Sequence, residues 1–394
     1  MLSAPLARAQ APEPGAPDPA KVRIRIGPLW MNPTLALTNA GVDANVFNEP
    51  DQQVPKRDFA ITVTPATDLW LRFGRTWLSG NVREDLVYYN KYANQRSANN
   101  RYSLVWLVPL NRLTLNVGAD YVSTHERPGF EIDARSQRNE LGYNGAAEIR
   151  ALSKTSFGVR GEYRKVNYDK AAVFLDSNLQ FELNRTMATG ALTIRHQLTP
   201  LTSLTLDVSR GQDRFEFSSP RDSNSTVVSG GVKFDPLALI KGGASFGYRD
   251  FQPLSPGLRG YQGSSASVDL SYTALGSTKL GVTATRDVQY SYDINQPYYL
   301  LTGITGSIAQ QIFGPVDVVG RAGVQRLDYR NRAGAVVAVS DRTDDVHSYG
   351  GGVGYHLGKD IRIGFNIDHI HRTSAVEIRQ YNGLTYGTSV TYGL

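Results

Sequence analysis

The chain has 394 residues, with 38 glycines, 21 tyrosines, no cysteine and a formal net charge of +6. The lack of cysteine excludes a disulfide framework, a thiolate metal site, a cysteine nucleophile and a lipid anchor on cysteine. Basic residues are scattered among acids without a Lys/Arg run, so nucleic acid is not an expected partner. The purest apolar run, Leu104 to Leu110, is far shorter than the ~18 residues of a transmembrane helix.

The first residues indicate export. Residues 1–9 end in Ala7-Arg8-Ala9, which resembles the end of a secretory signal peptide, and we interpret them as a signal-peptide remnant whose start lies upstream of Met1. The alternative is a disordered Ala/Pro terminus. Residues 10–21 are proline-rich and predict a disordered linker. Residues 22–394 are expected to form one domain.

A period of two dominates the chain from about Val22 onwards. In Leu113–Tyr121 the odd positions are apolar and the even positions are polar or small, and Phe157–Tyr163, Ala266–Tyr272 and Ile361–Asp368 repeat the pattern. Successive side chains of a strand point to opposite faces, so each segment predicts a strand with one apolar and one polar face. The sequence therefore predicts an all-β fold.

The connections between these segments alternate between short and long. Short turns are predicted at Gly74-Arg75, Asn111-Arg112, Ser153-Lys154, Thr199-Pro200, Asp235-Pro236, Gly276-Ser277, Gly314-Pro315 and Gly358-Lys359. Longer loops are predicted near 44–57, 90–98, 125–138, 169–183, 218–223, 251–260, 293–297, 330–343 and 372–380. Short periplasmic turns and longer extracellular loops are typical of outer-membrane barrels. We predict a transmembrane antiparallel up-and-down β-barrel of about 18 strands (16–18), with both chain ends on the short-turn side.

Charged residues near strand centres distinguish a barrel with a water-filled interior from a soluble sandwich. The predicted pore-lining residues are Arg83, Asp120, Glu148, Arg150, Arg160, Glu162, Arg164, Asp207, Asp269, Arg321, Arg362 and Asp368. Their balanced signs predict weak ion selectivity; alternatively, they simply pair across strands in a solvated lumen. Glu84 falls on the apolar face, which indicates a bulge or a miscount of the strand positions. The apolar stretch Ala171 to Leu175 predicts that the 169–183 loop folds inward as a constriction.

Aromatic residues near strand ends predict the two interfacial girdles of a membrane barrel. Near the short turns these are Phe73, Trp77, Phe157, Phe234, Phe313, Tyr355 and Phe365. Near the long loops they are Tyr88, Tyr89, Tyr121, Tyr168, Tyr248, Tyr290, Tyr292, Tyr329 and Tyr349.

No catalytic motif stands out. The motifs of zinc proteases, serine hydrolases and P-loop proteins are absent from the sequence. Asp344-Asp345-Val346-His347 is the one candidate for a hydrolase at the barrel rim, and solvated loop charges are the simpler interpretation. His369 and His371 share a strand face as half of a metal site, but interfacial packing is the favoured interpretation. Asp341, Asp344 and Asp345 are candidates for binding Ca²⁺, but they lack the spacing of an EF-hand. Taken together, these segments lead us to expect no enzyme activity, cofactor or metal.

Two segments carry a resemblance to known barrels. Thr385–Tyr392, continued by Leu394, resembles the C-terminal strand read by the barrel-assembly machinery, although Phe is commoner at the end. Gly41-Val42-Asp43-Ala44-Asn45-Val46-Phe47, after Arg25-Ile26-Gly27-Pro28 and Leu35-Ala36-Leu37, resembles outer-membrane porins of the β-barrel porin 2 type. The resemblance implies a pore, in some members similar to barrels encoded with exopolysaccharide export machinery, and no catalytic residues.

The sequence thus predicts a multi-pass barrel in the outer membrane of a Gram-negative bacterium, which passes polar solutes or polysaccharide. The alternatives are a closed structural or surface-interaction barrel and a rim hydrolase. Expected partners are outer-membrane lipid and lipopolysaccharide, the barrel-assembly machinery and exopolysaccharide-export components.

Overall fold

The computed structural model describes residues 17, 22–74, 76–235, 238–335, 337 and 339–393. Within this part of the chain, eighteen long strands form one antiparallel sheet in which each strand pairs with its sequence neighbours. The predicted all-β barrel and its strand number are confirmed. The signal-peptide remnant predicted at 1–9, and the linker predicted at 10–21 apart from residue 17, lie outside the described residues.

The strands have the following bounds: β1 Leu29–Asp43, β2 Asp58–Phe73, β3 Thr76–Tyr89, β4 Ser97–Pro109, β5 Leu113–Thr124, β6 Arg138–Arg150, β7 Thr155–Tyr168, β8 Arg185–Thr199, β9 Thr202–Phe215, β10 Ser223–Phe234, β11 Ile240–Pro253, β12 Tyr261–Ala274, β13 Thr278–Tyr290, β14 Tyr298–Phe313, β15 Val316–Arg330, β16 Thr343–Leu357, β17 Ile361–Ser374 and β18 Tyr381–Tyr392.

Short elements fill the termini and loops. A strand at Ile24–Ile26 forms a hairpin with the start of β1, and Val173–Phe174 pairs with Ser177–Asn178 in the loop after β7. The α-helix α1 spans Leu179–Leu183, and single 3-10 turns lie at Ala93–Gln95, Ser219–Arg221 and Glu377–Arg379. No helix in the described ranges is long and apolar enough to cross a membrane.

The first and last strands close the barrel. β1 and β18 are antiparallel, with Leu35 opposite Tyr392 and Asp43 opposite Thr385. Closure pairs the two edges that an open sheet would leave exposed. Both strands have their outer chain ends on the side of the short turns, as predicted. Several of these turns need glycine, since Gly314 and Gly358 have φ values of +55° and +69°.

The two faces of the sheet differ as the alternation predicts. Large apolar side chains point outward and stay exposed, for example Val117 at 59%, Leu192 at 62% and Phe246 at 64%. Their immediate neighbours in each strand point inward and are mostly polar or small. In water this exposed apolar surface would be costly, whereas hydrocarbon solvates it without penalty. The arrangement is that of a membrane barrel.

Glu84 does lie on the outer face, but the predicted explanation is wrong. The pairing of β3 with β2 and β4 keeps one register throughout, so no bulge lies at Glu84. Its carboxylate instead accepts a hydrogen bond of 2.9 Å from the hydroxyl of Tyr102, which also faces outward. The register shifts of the described strands lie in β1 after Leu37, in β8 after Gln197 and in β14 after Gln311.

Candidate functional site: the barrel interior

All twelve predicted pore-lining residues lie on the inner face of the sheet. Arg83, on β3, shares its face with Asp85 and Tyr89, and the Tyr89 hydroxyl is contacted by the inward loop residue Arg135. Residues paired across neighbouring strands share a face, and this pairing places the other eleven residues on the same inner face. Their role in solute passage stays a prediction.

Many of these residues are ion-paired. Arg164 donates two hydrogen bonds to Asp120 at 2.8 and 3.0 Å and lies 3.6 Å from Glu162. Arg321 pairs with Asp368 at 2.7 Å, and a guanidinium nitrogen of Arg195 lies 3.4 Å from Glu148. In each of these pairs a nearby carboxylate compensates the charge of the arginine, which lowers the net charge of that part of the wall.

The pairs extend to residues outside the predicted set. Arg362 binds Asp317 with hydrogen bonds of 2.6 and 2.7 Å, and His356 contacts the same carboxylate at 2.6 Å. These contacts lie near the short-turn end of β15, β16 and β17. Sequence alternation places such residues on the inner face but says nothing about which of them meet.

The loop of residues 125–137 crosses the lumen, and we name it the crossing loop. Ile132 belongs to the buried cluster that holds Val166 on β7 and Phe215 on β9. Phe130, only two residues earlier, packs in the cluster of Val346 on β16 and Tyr381 on β18. In a closed ring of eighteen strands β8 is diametrically opposite β17. The crossing loop therefore contacts opposite walls of the barrel.

A buried ionic cluster fixes the crossing loop to the wall. Arg372 on β17, with no exposed surface, donates a hydrogen bond of 2.6 Å to the carbonyl of Phe130 and lies 3.2 Å from the Asp133 carboxylate. Arg379 also contacts Asp133, at 2.9 Å, and Arg372 reaches the fully buried Asp344. Charges removed from water need such partners, since an unpaired buried charge costs several kcal/mol.

Glu131 occupies the centre of the crossing loop. Its carboxylate accepts hydrogen bonds from the Ser291 hydroxyl and, at 3.3 Å, from the backbone N–H of Tyr292. Burial raises the pKa of Glu131 to about 7, although Ser291 and the guanidinium of Arg379 oppose the shift. Its charge therefore changes near neutral pH.

Residues 287–301 turn inward and meet the crossing loop; we name them the inner hairpin. The pairing of β13 with β12 ends at Arg286, while β13 and β14 stay paired as far as Tyr290 and Tyr298. The ring of Tyr290 lies 4.8 Å from that of Phe215 on β9, and its hydroxyl contacts Ser223 on β10. The inner hairpin thus packs against the interior of neighbouring strands.

The loop after β7 folds inward in part. Phe174 is 6% exposed, and its ring lies 4.8 Å from that of Tyr292 in the inner hairpin. Leu179 and Leu183 of α1 are buried in the same cluster. Val173 and Leu175, in contrast, remain exposed. The predicted inward fold is therefore confirmed for Ala172 and Phe174 and not for the whole apolar stretch.

The predicted aromatic girdles need correction. Tyr88, Tyr121, Tyr248 and Tyr349 point outward, as expected of an interfacial belt. Four other tyrosines are buried inside and pack against the inward loops: Tyr89, Tyr168, Tyr292 and Tyr329. The half-buried Tyr290 packs against two of the same inner clusters. Trp77 also points inward, with 9% exposure. A position near a strand end is not sufficient to predict that an aromatic residue belongs to the girdle, because adjacent residues there face opposite sides of the sheet.

The candidate rim hydrolase lacks the required geometry. Asp344 faces inward within the buried ionic cluster, whereas Asp345 and His347 are on the outer face. Asp345 forms a two-point ion pair with Arg326 at 3.0 and 3.2 Å. His371, also outward, lies opposite His347 and contacts Asn382 at 2.8 Å. Within the described ranges, no three His, Asp or Glu side chains are arranged to hold a metal ion.

One protein family and several solved structures are similar to this chain. The profile of the family described as "Putative beta-barrel porin 2" matches residues 18–393. No curated protein matches the chain. Among solved structures, the chain is similar to the outer membrane protein OpdK from Pseudomonas aeruginosa, with 10% identity, a TM-score of 0.49, and coverage of 92% of this chain and 98% of that chain. It is also similar to a BenF-like porin from Pseudomonas fluorescens, with 11% identity, a TM-score of 0.49, and coverage of 92% and 99%. Since the family match spans nearly the whole chain, the protein belongs to the β-barrel porin 2 family.

Proposed function

We propose that the chain is an outer-membrane, non-enzymatic pore for polar solutes or polysaccharide. The observation that carries the proposal is the contrast between the two faces of one closed sheet. The outer face is apolar and exposed, while the inner face carries ion-paired arginines and carboxylates. Such a wall tolerates water and polar solutes, and a barrel of this size encloses an aqueous lumen unless loops fill it.

A second candidate, a closed barrel, is favoured by the crossing loop. Its contacts with opposite walls and its buried ion pairs are those of a fixed plug. Pore and plug differ in one quantity, the conductance of the barrel at rest. The rim hydrolase receives no comparable support, since Asp345 and His347 face away from the lumen.

Planar-bilayer recording separates the two candidates. The purified chain should give stable unitary current steps if it is a pore. A variant in which residues 127–136 are replaced by two glycines serves as the control, because it removes the crossing loop and leaves all strands intact. Steps in the variant but not in the native chain would contradict a resting pore and establish the closed barrel. No steps in either, from barrels shown to be folded, would contradict passage altogether.

A further inference from the structure

Three of the four tryptophans of the chain lie on the inner face of the barrel, on neighbouring strands at the short-turn end. Trp30 on β1 lies directly opposite Trp70 on β2, and Trp77 on β3 lies opposite Arg72, the next inner residue of β2. The rings of Trp30 and Trp77 are 5.1 Å apart in an edge-to-face arrangement. We name these three residues the Trp platform.

The Trp platform is out of place in a lumen that passes only ions and water. An indole ring in such a wall exposes apolar surface to water unless another side chain or a ligand covers it. Arg25 covers part of Trp30, with its guanidinium 4.8 Å from the ring centre. Trp77 is 9% exposed and supports Trp30 from the side. Trp70 is only half-buried, and among the described residues its ring contacts no other aromatic ring or cation. Part of its surface is thus open to the lumen.

Polar groups border the Trp platform. Asp68, the preceding inner residue of β2, accepts a hydrogen bond of 2.7 Å from the side-chain amide of Asn81 on β3. Arg72 lies 5.7 Å from the centre of the Trp77 ring, and its side chain donates to the carbonyl of Gly74. Flat apolar rings beside carboxylate, amide and guanidinium groups match a ligand that has apolar faces and hydroxyl edges.

The opposite wall has complementary chemistry. Because strands nine positions apart face each other in this ring, β1–β3 lie across the lumen from β10–β12. Many inner residues there are small or hydroxyl-bearing and follow one another in register, namely Ser229, Gly231, Gly243, Ser245, Ser267 and Ser271. Three charged residues, Lys233, Lys241 and Asp269, share this inner face. Small side chains leave width for a ligand, and their hydroxyls both donate and accept hydrogen bonds.

We propose that the Trp platform is a saccharide-binding site in the short-turn mouth, on which pyranose rings of a glycan chain stack against Trp70. A pyranose has an apolar face of C–H groups, which suits the indole rings, and a rim of hydroxyls, which suits the carboxylate, amide and guanidinium groups beside them. The site rests on the proposed function and names one class of solute, oligosaccharide or polysaccharide. A barrel that conducts ions but lacks this saccharide-binding site would not select one class of polar solute over another.

Calorimetric titration of the full-length, detergent-solubilised barrel with cellohexaose tests the site without any need for conductance. Sorbitol is the second probe, because it carries hydroxyls but no ring face. The key variant is Trp70→Leu, and the matched control is Trp106→Leu, since Trp106 points outward with 48% exposure. We expect cellohexaose, but not sorbitol, to bind the native chain and the control, and Trp70→Leu to weaken binding by about tenfold or more, as truncation of an anchor residue does.

Trp70→Phe guards against a folding defect, because it retains a smaller ring and should bind with intermediate affinity. Heat-modifiable migration on a gel reports whether each variant is a folded barrel. Lack of cellohexaose binding to the native chain, or equal binding by Trp70→Leu and native chain, would overturn the saccharide site. Conductance would be unaffected by either result, so the pore proposal could stand while this one falls.

Discussion

At the scale of single residues, the buried arginines determine how firmly the crossing loop is held. Arg372→Ala removes the cation shared by Asp133 and Asp344 and leaves each buried carboxylate with one remaining arginine, Arg379 or Arg342. We expect the barrel to lose about 3 kcal/mol of stability, the lower end of the cost of deleting one partner of a buried pair. Equilibrium unfolding in urea and detergent measures the loss.

Arg326→Ala is the matched control for Arg372→Ala. Arg326 pairs with Asp345, next in sequence to Asp344, but the pair lies on the outer face and is solvent-exposed. Exposed pairs contribute about 0–1 kcal/mol, so this variant should unfold close to the native midpoint. If both arginine variants unfold together, the ionic cluster does not hold the crossing loop in place.

Glu131 predicts a pH dependence of the crossing loop. Its pKa is about 7 when the loop is docked, above the ordinary value of 4.5 that it regains when released into water. The docked state therefore binds more protons, is most stable below pH 4.5, and weakens as the pH rises towards 7. The shift corresponds to about 3 kcal/mol.

The measurement is single-channel recording at pH 5 and pH 8. The native chain should show more frequent or larger openings at pH 8, because ionised Glu131 disfavours docking. Glu131→Gln cannot ionise and should keep the pH 5 behaviour at both values. A Glu131→Gln variant with the full native pH dependence would assign the titration to another group.

At the scale of elements, adjacent residues in one strand should differ in how well they tolerate substitution by a charged residue. Val268 on β12 faces lipid, whereas Ser267 beside it faces the lumen next to Ser245. Val268→Arg should cost about 2–4 kcal/mol, the cost of arginine near the bilayer midplane. Ser267→Arg should cost far less, since its charge reaches water. Unfolding of the two variants in lipid vesicles gives the comparison, and equal losses would contradict the assigned faces.

The strands and turns were predictable because their signals are local. Alternation, as in Leu113–Tyr121, determines which side of a strand is apolar, and glycine at positions such as Gly314 marks the tight turns. The alternation of short and long connections in the sequence predicts eight short turns and nine loops, and the strand order agrees with this count. Glu84 was misinterpreted because a lipid-facing carboxylate breaks the pattern unless its partner, Tyr102, is known.

The interior was less predictable because its contacts join distant parts of the chain. Arg372 and Phe130 are 242 residues apart in sequence, so no local pattern brings them together. A weak signal existed in the crossing loop, where Phe130 and Ile132 are apolar within a charged loop. Likewise, the Trp platform can be predicted only when the face on which each tryptophan lies is known for three separate strands. Proximity to a short turn alone suggested that Trp77 belongs to the aromatic girdle.

At the scale of the whole molecule, everything depends on one claim: the apolar face contacts lipid and the polar face encloses water. The absence of cysteine makes this claim easy to test, because each introduced thiol is the only one in the chain. β9 offers alternating positions, with Leu204, Leu206 and Val208 outward and Thr205 and Ser209 inward.

The most direct measurement is labelling of single cysteines at these five positions, in barrels reconstituted in lipid vesicles, with a charged, water-soluble maleimide. The account predicts rapid labelling at 205 and 209 and little labelling at 204, 206 and 208. Equal labelling along β9, or a chain that remains in the aqueous fraction without detergent, would contradict it.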